Sequence, residues 1–131
     1  MIGLDTNVLV RLLIDDEPAQ IRSAKRLLSD HDGEAGAFFI NDMVLIEAMW
    51  VLKRSYSIAR EEALAAVQSL LDNDAFAFED RDRLKGAVDL CTQQTMDFAD
   101  TMIALKNTSM GCEHTVTFDR AMRGLPGVQA I

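Results

Sequence analysis

Five acidic residues in this sequence could do chemistry together. Asp5 and Asp119 each directly follow a short apolar run, and Glu47 lies among apolar helical neighbours. Asp97 and Asp100 are three residues apart, which places them on one face of a predicted helix. Carboxylate oxygens without a cysteine or histidine cluster select hard cations. If these acids converge, they predict a site for Mg²⁺, or alternatively Mn²⁺, that acts on a phosphate ester or diester.

Each of the five acids also has an ordinary structural interpretation, which the sequence leaves open. Asp5 and Asp97 each precede a predicted helix, where an aspartate is a good N-cap. Asp100 then falls in the first turn, where the helix dipole favours a negative charge. Asp119 can pair with Arg120 in a turn. Each interpretation is acceptable alone, but together they do not explain why all five acids fall near one edge of a predicted sheet.

Glu47 is the most informative of the five. A lone carboxylate on an apolar helix face is costly to bury unless it is paired or bound to a metal ion. The sequence offers no cation between residues 43 and 52, although a salt bridge or a surface position remains open. Its neighbours three and four positions away are Met43, Val44, Trp50 and Val51.

The apolar pattern predicts the elements that must position these acids. Short runs alternate with longer stretches of helical period, and Pro18 and Asn41 suit helix starts. The pattern predicts strands near residues 2–4, 37–40, 75–78, 114–118 and 128–131, and helices near residues 7–14, 18–29, 42–54, 60–72, 81–95 and 97–110.

This alternation predicts an α/β fold. Strands separated by helices form a parallel sheet covered on both faces, and ligands bind beyond the carboxyl ends of its strands. We expect a single domain over residues 1–131, with a central parallel sheet of four to five strands and helices on both faces. Asp5, Glu47 and Asp119 then fall at the carboxyl edge.

Composition narrows the function classes. The 131 residues are 49% hydrophobic, which is typical of a globular domain. Their net charge of −8 should repel the phosphate backbone of a nucleic acid unless metal ions or a basic partner offset it. No apolar run approaches the roughly 20 residues that cross a bilayer. With no signal peptide at its start, we expect a cytoplasmic protein with Cys91 and Cys112 reduced.

Four segments, in this order, resemble the PIN-domain ribonucleases and, among them, the VapC-type toxins of toxin–antitoxin pairs. The first is IGLDTNVLVR at residues 2–11, and the second is VLIE at residues 44–47, followed by WVL. The third is DFADTMIA at residues 97–104, and the last is TFD at residues 117–119. The resemblance spans nearly the whole chain. Ser57 and Ala59 depart from it, because many relatives carry Gly and Ser there.

The resemblance implies a role for most of the candidate residues. Asp5, Glu47, Asp100 and Asp119 would form the catalytic, metal-binding quartet. Asp97 would be a further acid at the metal site, lying just behind the ligands or binding through water. Asn7 and Thr117 match positions that would orient the acids. Arg11 and Arg120 are candidate RNA contacts on other grounds, because RNA must still approach an acidic protein.

The same resemblance implies a function. The family cleaves RNA with Mg²⁺ or Mn²⁺, using a metal-activated water that leaves a 5′-phosphate and a 3′-hydroxyl. VapC-like members are typically homodimers, often cleave tRNA or other structured RNA, and are inhibited by a cognate VapB-like antitoxin.

Other classes fit less well. A receiver-type signalling module needs an aspartate at the end of a central strand and a lysine after a later one, whereas Lys106 lies within a predicted helix. A phosphatase with Asp5 as its nucleophile requires a second acid two residues later, where this chain has Asn7. A non-catalytic or phosphate-binding module on the same acidic fold remains the alternative.

Overall fold

A computed structural model describes all 131 residues, which divide into two compact units, Met1–Arg81 and Asp82–Ile131. The first unit contains a three-stranded parallel sheet in the order β1-β2-β3. In register, Ile2 lies opposite Phe38 and Ile40 lies opposite Phe78. The strands are β1 (Ile2–Gly3), β2 (Phe38–Ile40) and β3 (Phe76–Phe78), and the helices are α1 (Thr6–Leu13), α2 (Pro18–Asp30), α3 (Asp42–Tyr56) and α4 (Arg60–Leu71).

The core of this unit lies between the sheet and its helices. Phe38 and Ile40 of β2 are fully buried, as is Leu9 of α1. Helix α1 packs against both α2 and α3. Because alternate residues of a strand point to opposite faces, Phe38 and Ile40 share one face of the sheet, where they bury large apolar surface.

The second unit begins within α5 (Arg81–Gln93) and continues through α6 (Phe98–Ser109). A two-stranded parallel sheet follows, formed by β4 (Thr115–Thr117) and β5 (Val128–Ala130), with a 3₁₀ segment (Arg120–Gly124) between the strands. A small core consists of Ala104, Met122 and Leu125, with Met96 and Val128 packed against it.

The expectation of one central sheet with four to five strands is not confirmed. All five predicted strands form, but as one sheet of three strands and one of two. β1 has two residues and pairs with β2 alone, and β4 pairs with β5 rather than with β1, so the backbone hydrogen bonds do not continue from one sheet to the other. The α/β class, the parallel pairing and the six predicted helices are confirmed, whereas the 3₁₀ segment was not predicted. None of the helices combines the length and the hydrophobicity that a membrane span requires.

Candidate active site

Asp5 lies in the first unit, between β1 and α1. Its backbone has the extended conformation of an N-cap residue, and its carbonyl oxygen accepts the N–H of Leu9 at 3.1 Å. Its side chain makes no capping hydrogen bond, and the residue is exposed. The capping interpretation is therefore wrong for the Asp5 carboxylate, which is left facing solvent at the carboxyl end of β1.

Glu47 lies on α3 and is exposed. The buried face of that helix carries Val44, Leu45, Ala48 and Leu52. Met43 and Trp50 are 75% and 58% exposed, so the apolar neighbours on the side of Glu47 face solvent too. The expectation that Glu47 sits in a buried apolar environment is wrong, because sequence spacing shows which residues share a face but not which face is covered. Trp50 is not part of the core either, and the Arg54 guanidinium lies over its ring at 5.5 Å.

Two acids that were not among the predicted site residues, Asp42 and Glu79, meet at the start of α3. Asp42 is buried, at 5% exposure, and its backbone N–H donates to Oε2 of Glu79 at 2.6 Å. Glu79 directly follows β3, while Asp42 lies two residues beyond Ile40 at the end of β2. Glu79 could have been identified from the sequence, because it directly follows a predicted strand, as Asp119 does.

The Arg11 side chain makes hydrogen bonds and an ion pair within the first unit. Its Nε donates to Gln20 at 2.6 Å, and a terminal nitrogen donates to the Tyr56 hydroxyl at 2.9 Å and lies 3.5 Å from Asp16. The Tyr56 hydroxyl in turn donates to Asp16 at 2.5 Å, and that hydrogen bond is the main cause of a raised pKa for Tyr56. Arg11 therefore joins α1 to the end of α3. Asn7 is exposed and lines, with Arg11, a groove of about 620 Å³ beside α2.

In the second unit, Asp97 caps α6. Its Oδ2 accepts the backbone N–H of Asp100 at 3.0 Å, and its carbonyl oxygen accepts the Thr101 hydroxyl at 2.8 Å. The capping interpretation is therefore confirmed for Asp97. Asp100 follows in the first turn of α6, where it is half-buried.

The turn after β4 holds Asp119. Its Oδ1 accepts the N–H of Ala121 at 2.9 Å, which caps the 3₁₀ segment, so the turn interpretation holds through Ala121 rather than through Arg120. The N–H of Asp119 donates to the Thr117 hydroxyl oxygen at 3.0 Å. The Thr117 side chain therefore contacts the backbone of Asp119, while Arg120 is exposed.

Three carboxylates of the second unit interact electrostatically. Partial burial raises the pKa of Asp100, and the negative charges of Asp97 and Asp119 raise it further. Such a group is stabilised in its ionised form by a nearby cation. Carboxylate oxygens are the type of donor that a hard divalent ion prefers, and such an ion nearby would favour the ionised form of Asp100.

The structure thus places Asp97 and Asp119 close enough to Asp100 to raise its pKa, whereas Asp5 directly precedes α1 and Glu47 lies on α3, both in the other unit. No group of three or more aspartate, glutamate, histidine or cysteine side chains among the 131 residues is arranged to hold a metal ion. The quartet of Asp5, Glu47, Asp100 and Asp119 therefore stays a prediction.

A family model described as PIN domain matches residues 2–128. A curated relative, the VapC ribonuclease of Aquifex aeolicus, is 25% identical over 122 residues, covering 93% of this chain and 90% of that protein. A solved structure, VapC20 of Mycobacterium tuberculosis, described as a sarcin–ricin loop cleaving toxin, is 19% identical, with a TM-score of 0.45 over 95% of this chain and 94% of that one.

Proposed function

Because the chain belongs to the PIN-domain family, we propose that it is a metal-dependent endoribonuclease of the VapC type. The observation that carries the proposal is the extent of the likeness: the family match spans residues 2–128, and the VapC ribonuclease relative covers 93% of the chain. We extend the proposal to structured RNA, with tRNA as the first candidate, and to one functional domain over residues 1–131.

In this proposal, Asp5, Glu47, Asp100 and Asp119 hold Mg²⁺ or Mn²⁺. When bound, such an ion lowers the pKa of a water molecule and neutralises charge on the phosphate. The chain's own residues keep the ligands in place. Asp97 caps the helix that carries Asp100 and supports that residue from behind through its backbone N–H. The Thr117 hydroxyl accepts a hydrogen bond from the backbone N–H of Asp119.

Charge supports the need for a cation. The net charge of −8 opposes the approach of RNA, and Asp97 and Asp119 already disfavour the ionised form of Asp100. A divalent ion relieves both effects, because it attracts phosphate locally and offsets the repulsion among the carboxylates. Arg11 and Arg120 remain proposed RNA contacts, although the donors of Arg11 are engaged by Gln20 and Tyr56.

The test is RNA cleavage by the wild type and by Asp5→Asn and Asp100→Asn in the presence of Mg²⁺. Asp89→Asn, which changes an exposed acid on α5, is the matched control. We expect the control to match the wild type and both site variants to lose at least about 100-fold in rate. Mapped cleavage products should carry 5′-phosphates. Absence of cleavage by the wild type would instead favour a non-catalytic or phosphate-binding module, and equal activity in all variants would reject the site assignment.

The proposed partners follow from the same family. We propose a VapB-like antitoxin as the inhibitor, a cytoplasmic location and a homodimer. Exposed apolar side chains support the dimer: Met43 and Trp50 on α3, and Ile103, 47% exposed, on α6. For the homodimer, sedimentation velocity should give a dimer mass for the wild type and a smaller mass for Ile103→Ser. For the antitoxin, co-expression with a small neighbouring open reading frame should suppress the growth inhibition that this protein causes when it is expressed alone.

A further inference from the structure

The Glu79 carboxylate accepts a hydrogen bond at the start of α3, the helix that carries Glu47. β2 and β3 run parallel with Ile40 opposite Phe78, so their carboxyl ends meet at one edge of the sheet. Glu79 follows β3 at that edge, and its Oε2 accepts the backbone N–H of Asp42, the first residue of α3, at 2.6 Å.

This hydrogen bond differs from the cap that α3 supplies for itself. Oδ1 of Asn41 accepts the N–H of Val44 at 2.9 Å, which is a local N-cap. Glu79 satisfies a second of the first four N–H groups, none of which has a partner inside the helix, and a carboxylate there is also stabilised by the helix dipole. Because Glu79 lies 37 residues from Asp42 in the sequence, its bond joins the start of α3 to the end of β3.

Glu47 lies five residues beyond Asp42, about 7.5 Å further along the helix axis. Over that distance a helix moves nearly as one body, so a shift of its first turn carries the Glu47 carboxylate with it. The far end of α3 is held separately, since Tyr56 bonds Arg11 and Asp16. The placement of Glu47 therefore depends on how the first turn is held at the edge of the sheet.

We propose that Glu79 is a positioning residue for Glu47, acting through the N–H of Asp42 rather than by touching metal or substrate. The inference rests on the proposed function, in which Glu47 is a metal ligand. Partners that orient metal ligands typically change metal affinity or activity by about 10–100-fold when removed.

Two variants separate the hydrogen bond from the charge. Glu79→Ala removes the acceptor, whereas Glu79→Gln keeps an oxygen acceptor and loses the negative charge. Ile21→Val, which shortens a buried side chain of α2, is the control for destabilisation of the same unit. Glu47→Gln and the double variant Glu47→Gln/Glu79→Ala test whether Glu79 acts through Glu47.

The measurements are Mn²⁺ binding to the whole chain by electron paramagnetic resonance, the melting temperature, and kcat and KM on RNA. We expect Glu79→Ala to weaken Mn²⁺ binding and lower kcat by about 10-fold or more, with KM within about 3-fold of the wild type. Glu79→Gln should stay within about 3-fold in both. In the Glu47→Gln background, Glu79→Ala should cause no further loss of Mn²⁺ affinity.

Three results would overturn the inference while leaving the proposed function intact. The first is a Glu79→Ala variant no worse than Ile21→Val at equal melting temperature. The second is a Glu79→Gln variant as impaired as Glu79→Ala, which would assign the role to the charge. The third is a full further loss in the double variant. A wild type that neither binds Mn²⁺ nor cleaves RNA would reject the proposed function, and this inference with it.

Discussion

At the scale of single residues, the acids of this chain share a side-chain type but not a role. Asp97 and Asp119 use their carboxylates to cap backbone N–H groups, whereas Asp5 occupies a cap position without a capping bond. Glu79 accepts a backbone N–H from a distant residue. Sequence spacing correctly identified the cap at Asp97, because a cap depends only on the residues next to it.

Asp100→Asn should make the protein more stable at neutral pH in metal-free buffer. The pKa of Asp100 is raised in the folded state, so folding disfavours its ionised form. Stability is therefore lost as pH rises from the ordinary pKa of 3.8 through the folded-state value, and the variant avoids this loss. Because the carboxylate is only partly buried and solvent screens the repulsion, we expect a gain of roughly a few tenths of a kcal/mol.

Thermal unfolding of both proteins between pH 3 and pH 8 checks this prediction. The difference in melting temperature should be near zero below pH 3.8 and greatest at neutral pH. Asp89→Asn should show no such trend, since that acid is exposed on α5. A difference that shrinks as pH rises would contradict the assigned repulsion among Asp97, Asp100 and Asp119.

At the scale of elements, α3 shows both the success and the failure of sequence patterns. Its start was predicted from Asn41, which caps it through Val44, and its predicted end at Arg54 is two residues short of Tyr56. The side facing solvent was not predicted, because Met43 and Trp50 are apolar yet exposed. A run that is apolar on several faces does not reveal which of them the rest of the molecule covers.

Ser57→Gly should stabilise the protein. Ser57 follows α3 with φ of 51°, the one non-glycine residue with a positive φ, and the N–H of Ile58 bonds the carbonyl of Leu52 across it. A left-handed conformation costs a residue with Cβ roughly 1–2 kcal/mol, and glycine avoids it. We expect a net gain of about 0.5–1 kcal/mol, or roughly 2–5 °C in melting temperature.

The control for this prediction is the same substitution two residues earlier. Ser55 lies inside α3, so Ser55→Gly should destabilise the protein by about 0.5–1 kcal/mol. Urea unfolding of both variants gives the comparison. Equal losses in the two variants would show that Ser57 does not carry the strain.

Arg81→Ala should destabilise the first unit. The Arg81 guanidinium donates to the carbonyl oxygens of Leu71, at the end of α4, and Phe76, at the start of β3, and it lies 5.0 Å from the Phe78 ring centre. Loss of these charged donors should cost about 1–3 kcal/mol. Arg81→Lys should recover less than half, since lysine lacks the planar fork. Arg22→Ala, on the exposed side of α2, should stay near the wild type in urea unfolding.

At the scale of the whole molecule, a net charge of −8 with several carboxylates near one another predicts a response to divalent ions. Mg²⁺ or Mn²⁺ should raise the melting temperature, because an ion that binds only the folded state stabilises it. At 100 times the dissociation constant the gain is about 2.7 kcal/mol.

The measurement is thermal unfolding with each ion at increasing concentration, against potassium chloride at equal ionic strength. Asp5→Asn and Asp100→Asn should each reduce the shift, and Asp89→Asn should not. An unchanged melting temperature at tens of millimolar Mg²⁺ would contradict the metal site.

The sequence by itself determined the order and type of the elements, the capping of α3 by Asn41 and of α6 by Asp97, and the family. These features depend on residues within a few positions of one another, or on a pattern read along the chain. Only the tertiary structure decided that Arg11 bonds Tyr56, 45 residues away, and that Glu79 bonds the start of α3. The strands also pair as sheets of three and two rather than as one. Such long-range contacts follow from how all the elements pack, since each is one of many hydrogen bonds of similar energy that the chain could have made instead.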